Sequence, residues 1–411
     1  MKVLHIVAGS LNGGAAKGAL SLHQGLRELG VNSILLNSGA PSSQVEASFT
    51  ITNTPLKKLW LRLQRRIGLL PLFFYRNRLR RDFDTGIGGV DITVLPEYHS
   101  SDILHLHYIN GVVPIHILRK IEKPIVWTIR DMWPFTGGCH YSMGCQKYEA
   151  HCGECPQLQS SCSYDISRMI LYRKKSSIQS NIVVVGISKW ISECARKSNL
   201  FRNNPVHTIS NNVNIKSFQA IDIKMARKQL KLPGLQKRII LAGAYSLTDF
   251  YKGFDLLLVA LQHLRDKEIL ICLFGKINQE AISAIKLPNV SFGYISDDKY
   301  LSAIYSAADV FVAPSRQEAF GKTLVESLAC GTPVVCFDAT GPKDIIDHKL
   351  TGYKAEAFRP FDLAKGIEWI LGLPADQYQR MRSECRKAAV ARFDAVVIAR
   401  QYQDLYKKML I

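Results

Sequence analysis

The stretch Val310-Phe-Val-Ala-Pro-Ser-Arg-Gln-Glu-Ala-Phe-Gly-Lys-Thr-Leu-Val-Glu-Ser-Leu-Ala-Cys-Gly-Thr-Pro-Val-Val335 decides the fold of this chain. An apolar strand over 309–313 runs into a polar loop and then into a predicted helix over 322–330. Gly331 suits the left-handed position that ends a helix, and Pro333 opens the next strand. A strand, a loop, a helix and a second strand in this order predict one unit of a parallel α/β sheet.

The amino end of this helix is a predicted phosphate site. Gly321 brings no side chain that would block approach, and Phe320 precedes it in the loop. The amides of Lys322 and Thr323 open the helix and have no partners within it, and the helix dipole adds positive potential there. Such a helix end favours an anion.

Two carboxylates lie close to this end of the helix. Glu318 is in the loop and Glu326 is one turn inside the helix. Carboxylates beside an anion site would repel phosphate, so they suit hydroxyl groups instead. A sugar that carries a diphosphate offers both kinds of group. The alternative is an ordinary βαβ unit in which both glutamates are solvated.

The two glutamates and the Ser-Leu-Ala-Cys-Gly-Thr-Pro-Val-Val that follows resemble the signature of glycosyltransferase family 4. These are retaining sugar-nucleotide transferases, and the cysteine loop described below resembles that of a bacterial polysaccharide-biosynthesis subgroup. The resemblance implies an α/β protein of the GT-B fold, with two Rossmann-like doubly wound domains facing a central cleft. It also implies that Glu318 holds the hydroxyls of the donor sugar and Glu326 those of the ribose.

The alternation of strands and helices divides the 411 residues into three parts. We expect a Rossmann-like acceptor-side domain over 1–205 and a Rossmann-like domain for the nucleotide-sugar donor over 206–392. A carboxyl-terminal helix over 393–411 should pack back on the first domain. A chain of this length can bury two proper cores.

The composition of the chain indicates which partners it binds and in which cell compartment it lies. The net charge of +19 predicts affinity for something acidic, such as anionic lipid, nucleic acid or a phosphorylated substrate. The first residues lack the apolar core of a signal peptide, and no run of about 18–20 apolar residues predicts a membrane-spanning helix. We therefore expect a cytoplasmic protein with reduced thiols.

The amino terminus opens a doubly wound domain. A buried strand over 2–8 leads into a Gly-rich turn with Gly13 and Gly14, and then into a helix that ends near Gly30. The turn is not the dinucleotide fingerprint, which argues against a nicotinamide cofactor. In the resembling family this loop lies near the donor phosphates and the acceptor. The alternative is a plain turn between a strand and a helix.

The segment 47–81 has no acidic residue, and nine cations lie within 56–81. This pattern fits a basic helix held on an anionic surface, here the inner face of the cell membrane. It fits equally well a helix packed on the core with its arginines in water. No nucleic-acid-binding module is recognisable, so we expect no nucleic-acid partner. The apolar residues at helical spacing are Leu56, Leu59, Trp60, Leu63 and Ile67.

Polar residues follow two further strands of the first domain. His107 ends the strand over 103–107, and Arg130 and Asp131 follow the strand over 124–129. Ligands bind beyond the carboxyl ends of such strands. The resembling subgroup usually has His-Asp in place of Arg130-Asp131; a guanidinium cannot act as a base but can hold phosphate. His107 and Asp131 are the candidates to position the acceptor, and the alternative for Asp131 is a cap on its loop.

Five cysteines lie in the loop over 139–162: Cys139, Cys145, Cys152 and Cys155, with Cys162 further on. Cys152-x-x-Cys155 has the spacing of a zinc knuckle, with two thiols close upstream. Three interpretations stay open: a structural zinc site, four reduced thiols, or a loop closed by disulfides. Four thiolates would leave no open position for substrate, so a zinc ion here would be structural.

Lys252 is the candidate clamp for the donor diphosphate. The resembling family has an Arg after the first strand of the second domain and a Lys before a Gly. Lys252 matches the Lys, but Ala244 stands where the Arg would be. Arg316, Arg130 and Lys322 are the candidates to replace it, and the alternative for Lys252 is a solvated cation. In that family the nucleotide base lies against the loop after a strand like 290–294.

These features predict a retaining glycosyltransferase that moves a sugar from a nucleotide-diphosphate sugar to a hydroxyl. The resemblance implies a saccharide or lipid-linked saccharide acceptor in capsule, exopolysaccharide or O-antigen biosynthesis. Lys252 and the helix amides would stabilise the departing diphosphate, so this chemistry requires no cofactor. Two alternatives remain: a non-catalytic GT-B scaffold of a polysaccharide complex, and a GT-B nucleotide-sugar epimerase or phosphorylase.

Overall fold

The structure divides the chain into two compact units. The computed structural model describes residues 1–9, 11, 13–39, 45–51, 54–79, 81–265 and 268–411. The first unit comprises Met1–Ser210 and Ile398–Ile411, and the second comprises Asn211–Val397. The divisions therefore lie at 210 and 397, whereas the sequence pattern predicted them at 205 and 392. Arg80 of the basic segment lies outside the described residues.

The first unit is built on a parallel sheet of seven strands. Its strands are β1 (Lys2–Val7), β2 (Asn32–Asn37), β3 (Ser48–Thr50), β4 (Ile103–Leu106), β5 (Ile125–Ile129), β6 (Ile182–Gly186) and β7 (Val206–Thr208). They lie in the order β3-β2-β1-β4-β5-β6-β7. The central strands β1, β4 and β5 are buried along almost their whole length because both faces of a parallel sheet are covered.

Five helices belong to the amino-terminal part of this unit. They are α1 (Gly14–Glu28), α2 (Pro55–Leu69), α3 (Pro96–His99), α4 (Ile166–Lys175) and α5 (Lys189–Lys197). The side chains of Asp165 and Ser188 accept amide hydrogen bonds at the starts of α4 and α5, which fixes where these helices begin. α1 buries Leu22 and Leu26 in the same core as Val3 of β1.

The second unit contains a parallel sheet of six strands. They are β8 (Arg238–Ser246), β9 (Ile269–Lys276), β10 (Asn289–Ser291), β11 (Val310–Ala313), β12 (Val334–Phe337) and β13 (Gly352–Ala355), in the order β10-β9-β8-β11-β12-β13. The quoted stretch forms β11, the following loop, a helix and β12, as predicted from the sequence.

Seven helices cover this second sheet. They are α6 (Ile223–Gln229), α7 (Phe254–Gln262), α8 (Gln279–Ser283), α9 (Asp298–Ala307), α10 (Lys322–Ala329), α11 (Pro360–Leu371) and α12 (Ala375–Phe393). A buried ion pair between Arg227 and Asp309, 2.7 Å apart, ties α6 to the start of β11. The same carboxylate accepts the amide of Ile239, so its charge is well satisfied inside the protein.

The last helix, α13 (Ala395–Met409), contributes most of its length to the first unit. Its Tyr402 and Tyr406 are buried against the sheet. Tyr402 bonds Thr128 at 2.8 Å, and Tyr406 bonds His105 at 2.6 Å. These bonds satisfy polar groups that would otherwise be buried without partners.

Two parallel sheets flanked by helices confirm the prediction of two Rossmann-like doubly wound domains. Among the helices in the described part of the chain, none combines the length and the apolar character needed to span a bilayer.

Candidate functional site

The loops after β8 and β11 open side by side in the second unit. The chain runs outward from β8 through β9 to β10 and then returns to β11, which pairs with β8. Ligands of open α/β sheets bind at such a reversal of strand order, beyond the carboxyl ends of the strands. Lys252 lies on the first of these loops and Glu318 on the second.

Lys252 and Glu318 form an ion pair at this position. The ammonium lies 2.9 Å from Oε1 and 2.8 Å from Oε2 of the carboxylate. The hydroxyl of Ser315 also donates to Oε2, at 3.1 Å. Part of each charged side chain stays open to solvent, 24% for Lys252 and 17% for Glu318. The sheet edge therefore presents a cation and a carboxylate at one point, and Lys252 is not simply a solvated cation.

Close packing of the backbone holds these two loops together. Gly253 has a φ of +66°, and a Cβ there would lie 2.0 Å from the carbonyl oxygen of Pro314. The amide of Arg316 donates to the carbonyl of Tyr251 at 2.8 Å. The guanidinium of Arg316 binds the carboxylate of Asp255, with Nη1 2.6 Å from Oδ1. Arg316 was a candidate to replace the missing diphosphate clamp, but the structure commits it to Asp255.

The amino end of α10 is built on a glycine. Gly321 is its N-cap residue with a φ of +114°, and no side chain caps the helix. The amides of the first turn, at Lys322 and Thr323, therefore have the geometry of an anion site. The ring of Phe320 is buried and meets Phe393 edge to face, so the structure gives this side chain a packing role.

Glu326 is held by different partners from those of Glu318. The hydroxyl of Tyr305 donates to Oε2 at 3.1 Å, and Nζ of Lys322 lies 3.7 Å from Oε1. Burial, together with this carboxylate, raises the pKa of Tyr305 well above its usual value, so the phenol remains a donor. Tyr305 was not predicted from the sequence because a tyrosine within an apolar helix has the pattern of a core residue.

Two exposed tyrosines and a lysine form a cluster at the same edge of the sheet. Lys276, at the end of β9, donates to the hydroxyl of Tyr245 at 2.9 Å and lies 4.5 Å from the centroid of that ring. Tyr294, after β10, meets Tyr245 edge to face with centroids 5.5 Å apart. We call Tyr245, Lys276 and Tyr294 the tyrosine cluster. Their open rings provide a stacking surface for a planar ligand.

In the first unit, the strand order reverses between β1 and β4, and His107 follows β4 there. Its Nε2 lies 3.0 Å from Nδ1 of His5, and its Nδ1 lies 3.2 Å from Nη2 of Arg130. A guanidinium only donates, so Nδ1 of His107 accepts and Nε2 carries the proton. Burial lowers the pKa of both histidines well below the usual value, so both are neutral at neutral pH. His107 can reach an acceptor only if its bond to Arg130 opens.

Arg130 remains a cation in these surroundings. Enclosure by protein lowers its pKa to about 10, which is still far above neutral pH. The structure places it against His107 of the first unit, so it serves there as a hydrogen-bond donor.

Asp131 orients a histidine that was not predicted from the sequence. Its Oδ2 lies 2.7 Å from Nδ1 of His140, and its Oδ1 accepts the amide of Trp133 at 3.0 Å. Burial alone would lower the pKa of His140, but Asp131 and two further aspartates nearby raise it. Asp131 thus caps its loop and also holds an imidazole. The one available signal was a histidine nine residues downstream, which the fold alone brings into contact.

Gly13 and Gly14 leave open space at the start of α1. Gly13 is the N-cap residue with a φ of −73°, and a Cβ added to either glycine would meet nothing within 4 Å. Packing against the described residues therefore requires neither glycine.

Four of the five cysteines of the loop 139–162 line one cavity of the first unit: Cys139, Cys145, Cys152 and Cys155. All of them are free thiols, as are the other cysteines of the described chain. The interpretation of this loop as closed by disulfides therefore has no counterpart in the structure.

The apolar face of α2 is exposed rather than packed on the core. Leu56 is 79% exposed and Trp60 is 54% exposed. The helix docks through its other face, where Leu61 and Gly68 are buried and Arg65 donates to the carbonyl of Gly111 at 2.9 Å. The further exposed side chains of this face are Leu59, Leu63 and Ile67, followed by Phe73 and Phe74.

Residues 222–389 match the protein family described as "Glycosyl transferases group 1". This range lies within the second unit and includes Lys252, Glu318 and α10. Among solved structures, sucrose-phosphate synthase from Thermosynechococcus elongatus superposes with a TM-score of 0.71 at 19% identity, covering 100% of this chain and 99% of that one. HepE of Anabaena in complex with UDP and glucose gives a TM-score of 0.68 at 18% identity, with 99% of each chain covered. Both likenesses support the GT-B fold.

The second unit thus carries the match to group 1 glycosyl transferases, and the chain is a glycosyltransferase with two Rossmann-like domains of the GT-B fold. Its relatives include a protein of Escherichia coli K12 named as a colanic acid biosynthesis glycosyl transferase, WcaC. That protein is 24% identical over 84% of this chain and 85% of its own length. A transferase of Campylobacter jejuni named for an undecaprenol-linked substrate, N,N'-diacetylbacillosaminyl-diphospho-undecaprenol, is 24% identical over 48% of this chain and 53% of its own length.

Proposed function

We propose that this glycosyltransferase moves a sugar from a nucleotide-diphosphate sugar to a hydroxyl of a saccharide or lipid-linked saccharide, with retention at the anomeric carbon. The observation that carries the proposal is the ion pair of Lys252 and Glu318 at the reversal of strand order, in the loops that precede α7 and α10. A cation, a helix amino terminus without a side-chain cap and a carboxylate on neighbouring loops match a diphosphate joined to a polyol.

Different side chains would bind the diphosphate, the sugar, the ribose and the base of the donor. Lys252 and the amides of Lys322 and Thr323 bind the diphosphate, and Glu318 accepts hydrogen bonds from the sugar hydroxyls. Glu326, oriented by Tyr305, binds the ribose hydroxyls. The tyrosine cluster receives the nucleotide base by stacking, because it lies at the ends of β8, β9 and β10 along the same sheet edge.

The proposed reaction is a front-face substitution. The bond between the anomeric carbon and the diphosphate oxygen breaks, and the acceptor oxygen bonds to that carbon on the same face. The acceptor's proton passes to the departing phosphate oxygen, so no protein nucleophile is needed. Negative charge grows on the diphosphate as it leaves, and preorganised cations and amides stabilise that charge most in the transition state.

The first unit would supply the acceptor side of the reaction. Asp131 and His140 form an oriented pair after β5, and His107 follows the neighbouring strand β4. These residues position the acceptor hydroxyl, and Gly13 and Gly14 leave room beside them in the loop after β1.

We place the reaction in the cytoplasm at the inner face of the cell membrane, within the biosynthesis of a cell-surface polysaccharide such as capsule, exopolysaccharide or O-antigen. The name of the Escherichia coli relative supports the pathway, and that of the Campylobacter jejuni relative supports a lipid-linked acceptor. The exposed basic helix α2 supports a membrane surface as partner.

A donor panel tests the proposal. Purified protein is mixed with UDP-, GDP- and TDP-sugars, and thermal shift identifies the donor, because a ligand that binds only the folded state raises its apparent stability. Turnover of that donor is then followed with lipid-linked saccharides, and the anomeric configuration of the product is read by NMR. Inversion would refute retention. Donor binding without turnover under any acceptor would favour a non-catalytic scaffold, which Ala244 in place of the expected Arg also favours.

A further inference from the structure

The loop between β5 and α4 gathers four thiols around one cavity. Cys139, Cys145, Cys152 and Cys155 all line it, although 16 positions separate the first from the last. Cys152 and Cys155 are buried, and the other two thiols are partly exposed. Chance placement of four cysteines would not direct every one of them to the same small space.

We infer that these four cysteines bind one Zn²⁺ ion in a structural site of the first unit. Zinc takes four ligands in a tetrahedron and prefers thiolates in structural sites. The pair Cys152-x-x-Cys155 supplies one edge of the tetrahedron, and Cys139 and Cys145 supply the other. With all four positions filled by sulfur, the ion has no place for substrate and acts on folding alone.

Backbone amides lie close to two of the thiols. The amides of Gln157 and Leu158 approach the sulfur of Cys155, and the amide of Gly137 approaches that of Cys152. Without a metal ion, burial raises the pKa of both thiols above the usual value, so both are protonated. Zinc would have to displace these protons, and the nearby amides would then help to stabilise the thiolates that bind the ion.

Two lysines can balance the charge of the centre. Four thiolates and one Zn²⁺ carry a net charge of −2. Nζ of Lys147 donates to the carbonyls of Gly153 and Glu154, at 3.2 and 3.0 Å. Nζ of Lys174 is buried and donates to the carbonyl of Thr136 at 2.9 Å. Both amines are therefore held beside the cysteines, and Lys147 also forms an ion pair with the carboxylate of Glu154 at 3.0 Å.

Binding would draw the thiols inward. A tetrahedron with Zn–S bonds of about 2.3 Å places the sulfurs about 3.8 Å apart. The four thiols are spaced more widely than this. Among the described residues, one group of three or more histidine, cysteine or acidic side chains has its ligand atoms all within 4.8 Å of one another, and that group is His5, His105 and His107. Zinc binding would therefore require the loop that carries the four cysteines to move inward, towards the cavity that they line.

The histidine cluster itself is a poorer metal site. Both nitrogens of His105 are taken, by Tyr406 at 2.6 Å and Thr128 at 2.7 Å, and both nitrogens of His107 are taken by His5 and Arg130. A metal ion would have to break these bonds beside the guanidinium of Arg130. No carboxylate of the cluster offsets that charge, so the cysteine cavity is the better site.

The zinc ion would fix the loop that carries His140. His140 follows Cys139 directly, and its ring bonds Asp131 at 2.7 Å. Anchoring Cys139 to an ion therefore restrains the imidazole that the loop places beside Asp131. Removal of the ion should loosen this part of the first unit before the rest of the chain unfolds.

The test measures zinc in the full-length protein, purified under reducing conditions without a metal-affinity column. We expect about one zinc per chain by elemental analysis. Cys152→Ser and Cys155→Ser should each lower the zinc content about tenfold or more. The matched control is Cys162→Ser, which changes an exposed cysteine of the same loop and should keep the full content. Replacement of zinc by Co²⁺ should give the intense visible bands of a tetrahedral tetrathiolate.

Three results would overturn the inference. One is wild-type protein free of zinc after growth and purification with zinc present. Another is zinc that survives in both cysteine variants but disappears in His105→Gln, which would move the ion to the histidine cluster. The third is a thiol count of the denatured, unreduced protein showing that the four cysteines are disulfide-bonded. If the cysteine variants do not fold, the cobalt spectrum and thiol count of the wild type still decide.

Discussion

The ammonium of Lys252 lies 2.9 and 2.8 Å from the two carboxylate oxygens of Glu318, although 66 positions separate these residues in the chain. Each side chain holds the other in place before a donor binds. Neither the cation for phosphate nor the carboxylate for hydroxyls then has to be ordered when the donor arrives, which lowers the entropic cost of reaching the transition state.

The first prediction concerns this ion pair. Lys252→Ala should lower kcat about 10²- to 10³-fold with a smaller change in donor KM, because the charge on the leaving diphosphate is largest in the transition state. Initial rates at varied donor concentration separate the two constants. Lys387→Ala, which removes an exposed lysine paired with Glu384 on α12, is the matched control and should leave both constants unchanged within about twofold. An unaltered kcat in Lys252→Ala would remove the lysine from the mechanism.

Gly253→Ala tests how tightly the two loops are joined. The backbone there has a φ of +66°, and the new Cβ would lie 2.0 Å from the carbonyl oxygen of Pro314. We expect a loss of about 1–3 kcal/mol in the free energy of unfolding from the strained backbone and the contact with Pro314. Chemical denaturation measures this loss.

Gly13→Ala is the control for that substitution. Gly13 has a φ of −73° and open space around its Cβ position, so its replacement should change the unfolding free energy by less than about 0.5 kcal/mol. Equal losses at the two glycines would mean that Gly253 is not pressed against the loop of Glu318.

The pair of Asp131 and His140 predicts a dependence of stability on pH. Burial opposes protonation of His140, but the carboxylate of Asp131 outweighs it, so the folded-state pKa is raised above the usual 6.5. A raised folded pKa stabilises the protein fully below the unfolded value, and this stabilisation is lost as pH rises through the folded value. The difference in unfolding free energy between wild type and His140→Gln should therefore be larger at about pH 5.5 than at about pH 9.

Two further variants identify the source of that dependence. His151→Gln, at an exposed histidine of the same loop, is the matched control for the substitution itself. Asp131→Asn should remove most of the pH dependence of the His140→Gln difference, because the raised pKa comes from the carboxylate. A difference that grows with rising pH would mean that folding lowers the pKa of His140 instead of raising it.

Much of the fold could be predicted from the chain alone because strands of a parallel sheet are apolar on both faces. β11, α10 and β12 fall where Gly331 and Pro333 set their limits, within one residue of the predicted helix end. One strand is shorter than expected: the strand given as 290–294 covers Asn289–Ser291 in the structure, since Gly293 takes a positive φ and turns the chain away.

The site was predictable only in part. Sequence patterns indicated Glu318 and Lys252 separately, because each belongs to a local motif, but nothing local shows that they bind each other. His140 and Tyr305 were missed because their roles depend on partners supplied by another element, Asp131 after β5 and Glu326 on α10. Arg316 was a candidate to bind the donor diphosphate because of its charge, and in the structure its guanidinium forms an ion pair with the carboxylate of Asp255.

The last prediction concerns α2 and an anionic bilayer. The helix is fixed to the first unit by Leu61, Gly68 and the bond from Arg65 to Gly111, so the face with Leu59 and Trp60 stays open. Vesicles that contain phosphatidylglycerol should bind the wild type, and binding should fall as salt screens the lysines and arginines. The double variant Leu59→Ala, Trp60→Ala should weaken partitioning about 10- to 100-fold, because the interface buries about half of each side chain and full burial of each contributes about 1.5–3 kcal/mol.

The charge and the apolar face make separable contributions to that binding. Arg62→Glu with Arg66→Glu should remove the preference for anionic over neutral vesicles, since each cation near such a surface contributes about 1 kcal/mol. Val94→Ala changes an exposed apolar residue outside α2 and should bind like the wild type. Sedimentation with vesicles at low and high salt measures all four proteins. If the wild type stays in the supernatant even at low salt, α2 is not a membrane helix, and its exposed face must serve a partner of a different kind.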